Sequence, residues 1–176
     1  MLYQTKVLFM RKGVILSCYP NKLNDTGIFV HEIQTPVPRE LYRIFPYESF
    51  RIRAEILIDF LSINHKLQFQ VINYNPHEVN LEDLTQEEFT QFCFHFCNSE
   101  QGIYVDRLTL PLQLRRRGIG TYCINWLKDF ASDFGFRYII LGSLTEARSF
   151  WIKMGFRLLT NGELSSFPGY QGRYNR

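Results

Sequence analysis

The chain has 176 residues, a formal net charge of +3 and a sequence pI of about 8.7. That length suits one domain with a self-supporting core, and so mild a basicity suits a small anionic ligand while falling short of a dedicated nucleic-acid binder. No apolar run approaches the ~20 residues of a membrane span. Lys6, Arg11 and Lys12 interrupt the apolar residues of Met1–Tyr19, so a secretory signal is not expected. The four cysteines (Cys18, Cys93, Cys97, Cys123) show no disulfide-framework spacing, which predicts reduced thiols in a cytoplasmic protein.

Taken in order, Val7–Leu16 and Gly27–Ile33 read as strands separated by the turn-rich run Pro20–Asp25, and Pro36 and Pro38 then break the chain. After Pro46, the apolar residues Phe50, Ile56, Leu57, Phe60 and Leu61 predict a helix of about four turns. Leu67, Phe69 and Val71 alternate with polar residues and predict a half-buried strand, followed by a loop over Asn73–Asn80 around Pro76.

Thr85-Gln86-Glu87-Glu88 has the form of a capping box, in which hydroxyl and carboxylate each satisfy an orphan backbone N–H. With Phe89, Phe92, Cys93 and Phe96 at i, i+3, i+4 and i+7, it predicts a helix ending near Asn98. Ile103–Leu110 predicts a strand closed by Pro111, Gly118–Phe134 a helix, and Tyr138–Leu141 a short buried strand. Glu146–Met154 predicts a short helix, with Ser143 and Glu146 as a second capping box and Gly155 as the C-cap, and Phe156–Leu159 predicts one more strand. Strand alternating with helix is an α/β rhythm, and without repeats or linkers it implies one domain over residues 1–176.

The chemistry concentrates in Leu108–Thr121, where a strand ends, a basic loop with two glycines follows and a helix begins. Gly118 and Gly120 lack the Cβ atoms that would hold a ligand away from the backbone. The unpaired amides of the first helical turn can then face a phosphate, assisted by the helix dipole. No Gly-Lys-Ser/Thr follows, so this is not a Walker loop, and the three glycines of the dinucleotide fingerprint are missing.

Arg115-x-x-Gly118-x-Gly120 resembles the Arg/Gln-x-x-Gly-x-Gly/Ala signature of the GNAT superfamily of N-acetyltransferases. Downstream, Ala147-Arg148-Ser149-Phe150-Trp151-Ile152-Lys153-Met154-Gly155-Phe156 is similar to that family's Ala-x-x-Phe-Tyr-x-Lys-x-Gly-Phe segment, and the two matches span residues 103–160. The resemblance implies a single mixed α/β (α+β) domain with a twisted, mostly antiparallel sheet flanked by helices. Residues 101–160 would be its acyl-CoA-binding core and residues 1–100 a variable half on the acceptor side.

It further implies acetyl-CoA as co-substrate, lying where the Ile103–Leu110 strand splays from the Tyr138–Leu141 strand. Leu108 and Leu110 would touch pantetheine, and Arg115, Arg116, Arg117, Gly118, Ile119, Gly120 and Thr121 would hold the pyrophosphate. Phe150 and Lys153 would stand on the coenzyme side. The implied acceptor is a primary amine of a small molecule or protein that attacks the thioester directly, and no metal is implied. Two positions depart from the family pattern: Leu144 stands where an Asn often helps hold the coenzyme, and Trp151 replaces a Tyr placed to reprotonate the thiolate. An indole N–H is no acid near neutral pH.

For a base, Asp106 lies two residues before Leu108, hence on the same pleat face, where a carboxylate could take a proton from an ammonium. In some family members a glutamate base aligns with Tyr104. The plainer role for Asp106 is as partner of a neighbouring arginine, and Glu146 is explained by capping. Cys93-Phe94-His95-Phe96-Cys97 has metal-ligand residues, but on a helix His95 points away from both thiols, so two core cysteines are expected. Cys123 sits inside a helix with no nearby His and is not expected to be a nucleophile.

The arginine triplet also fits a solvated face, while nucleic acid is disfavoured because the loop lacks interleaved aromatics. Two other functions stay open. One is transfer from a longer acyl donor, carried by CoA or by an acidic carrier protein docking on the arginines. The other is a non-catalytic acyl-CoA-binding regulatory module, suggested by Leu144 and Trp151. The sequence accommodates a homodimer and leaves the acceptor open.

Overall fold

The computed structural model describes residues 27–34, 47–75, 78–85, 90–97 and 101–167. In chain order these form β1 (Gly27–Glu32), α1 (Tyr47–His65), β2 (Phe69–Asn75), β3 (Glu78–Asp83), β4 (Thr90–Cys97) and β5 (Gly102–Thr109). There follow α2 (Ile119–Asp133), β6 (Tyr138–Ser143), α3 (Arg148–Lys153), β7 (Arg157–Leu158) and α4 (Asn161–Leu164). The seven strands share one open sheet in the order β2-β3-β4-β5-β6-β1-β7. Every neighbouring pair is antiparallel except β5–β6, so the chain is a single mixed α+β domain with a mostly antiparallel sheet. No helix among the described residues is long and apolar enough to cross a membrane.

One face of the sheet carries the main core. Phe50, Ala54, Leu57 and Leu61 of α1, and Cys123, Ile124, Trp126, Leu127 and Phe130 of α2, pack with Phe92, Phe94, Phe96, Ile103, Val105, Ile139 and Leu141 of the sheet. Trp126 keeps its polar handle satisfied by donating Nε1–H to the Arg53 carbonyl at 3.0 Å, tying α2 to α1. A smaller cluster on the other face joins Val30, Tyr104 and Ile140 to Leu159 and Phe167. Ile56 departs from the predicted apolar stripe of α1: it is exposed, and Ala54 faces the core in its place.

Two segments differ from the expected elements. The predicted helix over Thr85–Asn98 is strand β4 where it is described, at Thr90–Cys97, and its first seven residues are all buried. Phe92 and Phe96 fit an i, i+4 spacing as well as a period of two, and the capping-box pattern before them favoured the helix over the alternation with Gln91, Cys93 and His95. Thr85 caps no helix: its N–H and Oγ1 both donate to Asp83 Oδ1, at 2.9 and 2.6 Å, closing a local turn. The loop expected over Asn73–Asn80 is instead a tight hairpin, with Asn75 and Glu78 in register. Its second strand buries Val79 and Leu81 in a period-two pattern that the surrounding Asn and Pro residues obscured. The strand read at Val7–Leu16, the Pro20–Asp25 turn, the breaks at Pro36 and Pro38 and residues 86–89 lie outside the described residues.

Residues 1–100 and 101–160 share the one sheet. β1 lies between β6 and β7, so a segment of the first half completes the sheet beside the second.

Phe94 is fully buried, with ring centroids 5.1 Å from Phe92, 5.7 Å from Phe96 and 6.1 Å from Trp126. Phe94→Ala is expected to cost about 3–5 kcal/mol in denaturant unfolding. Ile56→Ala, at an exposed position, should stay within about 0.5 kcal/mol of wild type.

Candidate functional site

The parallel ladder between β5 and β6 runs from Gly102↔Tyr138 to Val105↔Leu141 and stops, although both strands continue. Beyond it β5 keeps pairing with β4 as far as Thr109↔Gln91, and β6 keeps pairing with β1 as far as Ser143↔Gly27. The cause lies on the far side of β5. Its register with β4 moves from Val105↔Phe94 to Arg107↔Cys93, leaving Asp106 as an extra residue, and a bulge bends the strand that carries it. β5 therefore swings away from β6. The gap is a narrow, mainly apolar cavity of about 40 Å³ lined by Val105 and Leu108 of β5, Leu141, Gly142 and Ser143 of β6, and Leu144, Ala147 and Trp151 beyond it.

At one end of the gap, the chain leaves β5 through Leu110 and Pro111, makes a 3-10 turn at Leu112–Leu114 and enters α2. Arg115 donates Nε–H to the Leu110 carbonyl at 2.9 Å, so part of its guanidinium holds the loop's shape. Arg116 and Arg117 are exposed. Gly118, at φ +81°, is the left-handed N-cap, and its carbonyl accepts the first helical bond from Tyr122 N–H at 2.9 Å. Among the described residues no side chain caps this helix start and no acidic residue occupies its first turn, which suits the leading N–H groups to an outside acceptor. The Ile119 side chain is buried, so only its backbone is available, while Thr121 is exposed.

The two glycines have different surroundings. A Cβ on Gly118 would meet nothing within 4 Å, so the space before the helix is open. A Cβ on Gly120 would lie 3.4 Å from Phe150 Cζ and 3.8 Å from Leu108 Cδ2. Gly120, Phe150 and Leu108 are thus adjacent and join the helix start to the cavity. Leu110 is half-buried against the core, and Lys153 is exposed in the last turn of α3.

Around α3, the expected capping box at Ser143 and Glu146 is not formed. Ser143 donates its hydroxyl to the Leu144 carbonyl at 2.8 Å, and Glu146 is exposed. The helix end is held instead. Gly155 takes the expected C-cap conformation at φ +78°. Lys128 of α2 donates to the Met154 carbonyl, and His31 Nδ1 of β1 lies 2.9 Å from the Gly155 carbonyl. Burial lowers the pKa of His31, which favours a neutral ring donating Nδ1–H. These contacts seat Trp151, which is buried and lines the cavity edge-on to Phe150 and Phe156.

Beside the apolar cluster of Val30, Tyr104 and Ile140, the opposite face of the sheet carries polar groups on β4 and β5. The bulge overturns the expectation that Asp106 shares a face with Leu108: Leu108 lines the cavity beside Val105, whereas Asp106 Oδ2 lies 2.7 Å from His95 Nδ1. The inserted residue shifts the pleat by one, and period-two reasoning fails across it. Asp106 thus has a histidine as a partner, and Arg107 donates to Gln91 Oε1 at 2.8 Å. His95 also stacks on Tyr104, its register partner, with ring centroids 4.9 Å apart and planes 14° apart. Thr109 Oγ1, across the ladder from Gln91, is buried and makes no hydrogen bond among the described residues.

Sequence reasoning passed over His95 because a helix would point it away from its neighbours. The available signal was the alternation of Phe92, Phe94 and Phe96, which puts Cys93, His95 and Cys97 together on the other face of a strand. No group of three or more metal-capable side chains occurs among the described residues. Cys93 donates to Asn80 Oδ1 at 2.8 Å, and burial pushes its thiol up to about 12, as it does that of Cys123.

No protein-family model matches the chain, and no curated protein matches it.

Because the thiolate is the reactive form, iodoacetamide in mildly alkaline buffer should leave Cys93 and Cys123 unmodified in the folded protein and label both in urea. Peptide mass spectrometry reads the result, and rapid native labelling of Cys123 would contradict its position inside α2.

Proposed function

We propose that the protein is a GNAT-type N-acetyltransferase that moves an acetyl group from acetyl-CoA to a primary amine by direct attack. The observation that carries this reading is the continuity of the β5–β6 gap, through Leu108, Phe150 and Gly120, with the uncapped start of α2. An elongated ligand with an anionic end and an uncharged thioester arm matches that succession. Its pyrophosphate would meet the first-turn amides together with Arg116 and Arg117, while Arg115 keeps the loop shaped. Phe150, Leu108 and Leu110 would border the pantetheine, and Lys153 would add positive charge at the rim.

Catalysis in this reading is chiefly positioning, since a held amine and thioester react as one body. Backbone N–H groups of the Leu108–Leu110 stretch, which make no ladder with β6, would stabilise the oxyanion. The thiolate would be reprotonated from solvent, because Trp151 has no acidic proton. A second reading, a non-catalytic acyl-CoA-binding module, draws on the indole of Trp151 and the side chain of Leu144 lining that cavity.

Calorimetry with acetyl-CoA tests the binding reading. Gly118→Asn and Gly118→Asp add similar bulk at a left-handed position that both residues tolerate, and they differ in charge. Like charges about 4 Å apart near a surface repel by about 4 kcal/mol. The Asp variant should therefore bind at least about tenfold more weakly than the Asn variant, which corresponds to 1.4 kcal/mol. Equal affinities, with both variants folded, would remove the pyrophosphate site from α2. Affinity should also fall with added salt, because exposed charges are screened over about 10 Å at 0.1 M. Acetyl-CoA binding without transfer to any of a panel of amines would favour the second reading.

A further inference from the structure

We propose that His95 is the base that takes the ammonium proton of the acceptor, that Asp106 positions it, and that the acceptor reaches the thioester from the polar face of the sheet. The assignment rests on the acetyl-transfer reading and adds to it a group, a side of approach and a path for the proton.

Position carries the argument. Asp106 is the first residue of β5 beyond its last pairing with β6, at Val105↔Leu141, so its carboxylate stands where the gap opens. The bulge gives both Asp106 and Arg107 partners on β4 across this face, His95 and Gln91. Ala147 and Trp151 line the cavity from the helix face, and the second substrate is taken to approach from the other. On that face the groups nearest His95 are Tyr104 and Asp106 of β5, Cys93 of β4 and Glu78, its register partner on β3.

The pair is built as an oriented base is built. A carboxylate only accepts hydrogen bonds, so the 2.7 Å contact puts the hydrogen of the neutral ring on Nδ1 and leaves the lone pair on Nε2. Stacking on Tyr104 fixes the ring plane, and no other hydrogen bond engages the ring among the described residues. The His95 side chain is 10% exposed and that of Asp106 28%. A half-buried histidine–carboxylate pair kept for packing alone is costly, since apolar residues of the same volume often serve stability as well or better.

In the step, an N–H proton of the ammonium passes to His95 Nε2 and frees the nitrogen lone pair, which attacks the carbonyl carbon and forms the C–N bond. The C–S bond then breaks with its electron pair on sulfur. The nitrogen loses a second proton to solvent, and the thiolate gains one from His95 or from solvent. Amine and thioester become amide and thiol, and one proton is released.

The test follows thiol release from acetyl-CoA with two probe amines: ethylamine, which is protonated at neutral pH, and hydroxylamine, which is neutral there. His95→Gln should lower kcat for ethylamine by about 10²-fold or more and for hydroxylamine much less, with acetyl-CoA affinity unchanged. Added imidazole should restore part of the ethylamine activity of His95→Ala. Asp106→Asn should share the selective loss and Asp106→Glu should recover part of it. Equal losses with both amines, or none, in a wild type that transfers acetyl would overturn the base and leave the acetyltransferase reading standing. A wild type that binds acetyl-CoA and acetylates neither probe overturns both.

Discussion

A strand in the middle of a sheet is held along both edges, and an extra residue on one edge cannot be absorbed without consequence on the other. Asp106 is such a residue. Opposite β4 it is accommodated by moving the register from Phe94↔Val105 to Cys93↔Arg107, which bends β5, and opposite β6 the same bend ends the ladder at Val105↔Leu141. Backbone groups of a sheet interior are normally paired because leaving them unmade costs about as much as a lost hydrogen bond. A gap between two neighbouring parallel strands is therefore a feature to be explained, and under the proposed function it is the place of the acyl donor.

The elements bordering the gap are held by packing. Phe92, Phe94 and Phe96 of β4 meet Trp126 and Phe130 of α2 in a run of stacked and edge-on rings, and Phe50 of α1 closes it from outside. This fixes where the start of α2 stands relative to β5. At the other border, Lys128 and His31 grip the carbonyls at the end of α3 from two different elements and so seat Phe150 and Trp151. A site assembled from helix and strand ends keeps its geometry without a ligand, which is what catalysis by positioning requires.

The two faces of the sheet divide the chemistry. The helix face is apolar at the gap, through Leu108, Leu141, Leu144 and Trp151, while the opposite face gathers Gln91, Cys93, His95, Tyr104, Asp106 and Arg107 from adjacent strands. The bulge connects the two, opening the cavity on one side and placing the His95–Asp106 pair on the other. β1 extends the same organisation, since it lies against β6 and sends His31 to the end of α3.

The sequence by itself determined what depends on local chemistry. The strand–loop–helix of Leu108–Thr121, the glycine N-cap of α2, the C-cap at Gly155 and the helix after Pro46 all follow from neighbouring residues and from a period that solvent on one face makes visible. Tertiary structure decided the rest. β4 was read as a helix because Phe92 and Phe96 also fit a helical spacing after a capping-box pattern, and the hairpin after Asn75 was hidden by residues that also favour loops. Asp106 was placed on the wrong face because one inserted residue shifts the pleat, and His95 was missed because its strand was read as a helix. A bulge is a relation between two strands far apart in the chain. Its energy lies in hydrogen bonds to a partner, and the chain's own pattern of residues does not contain them.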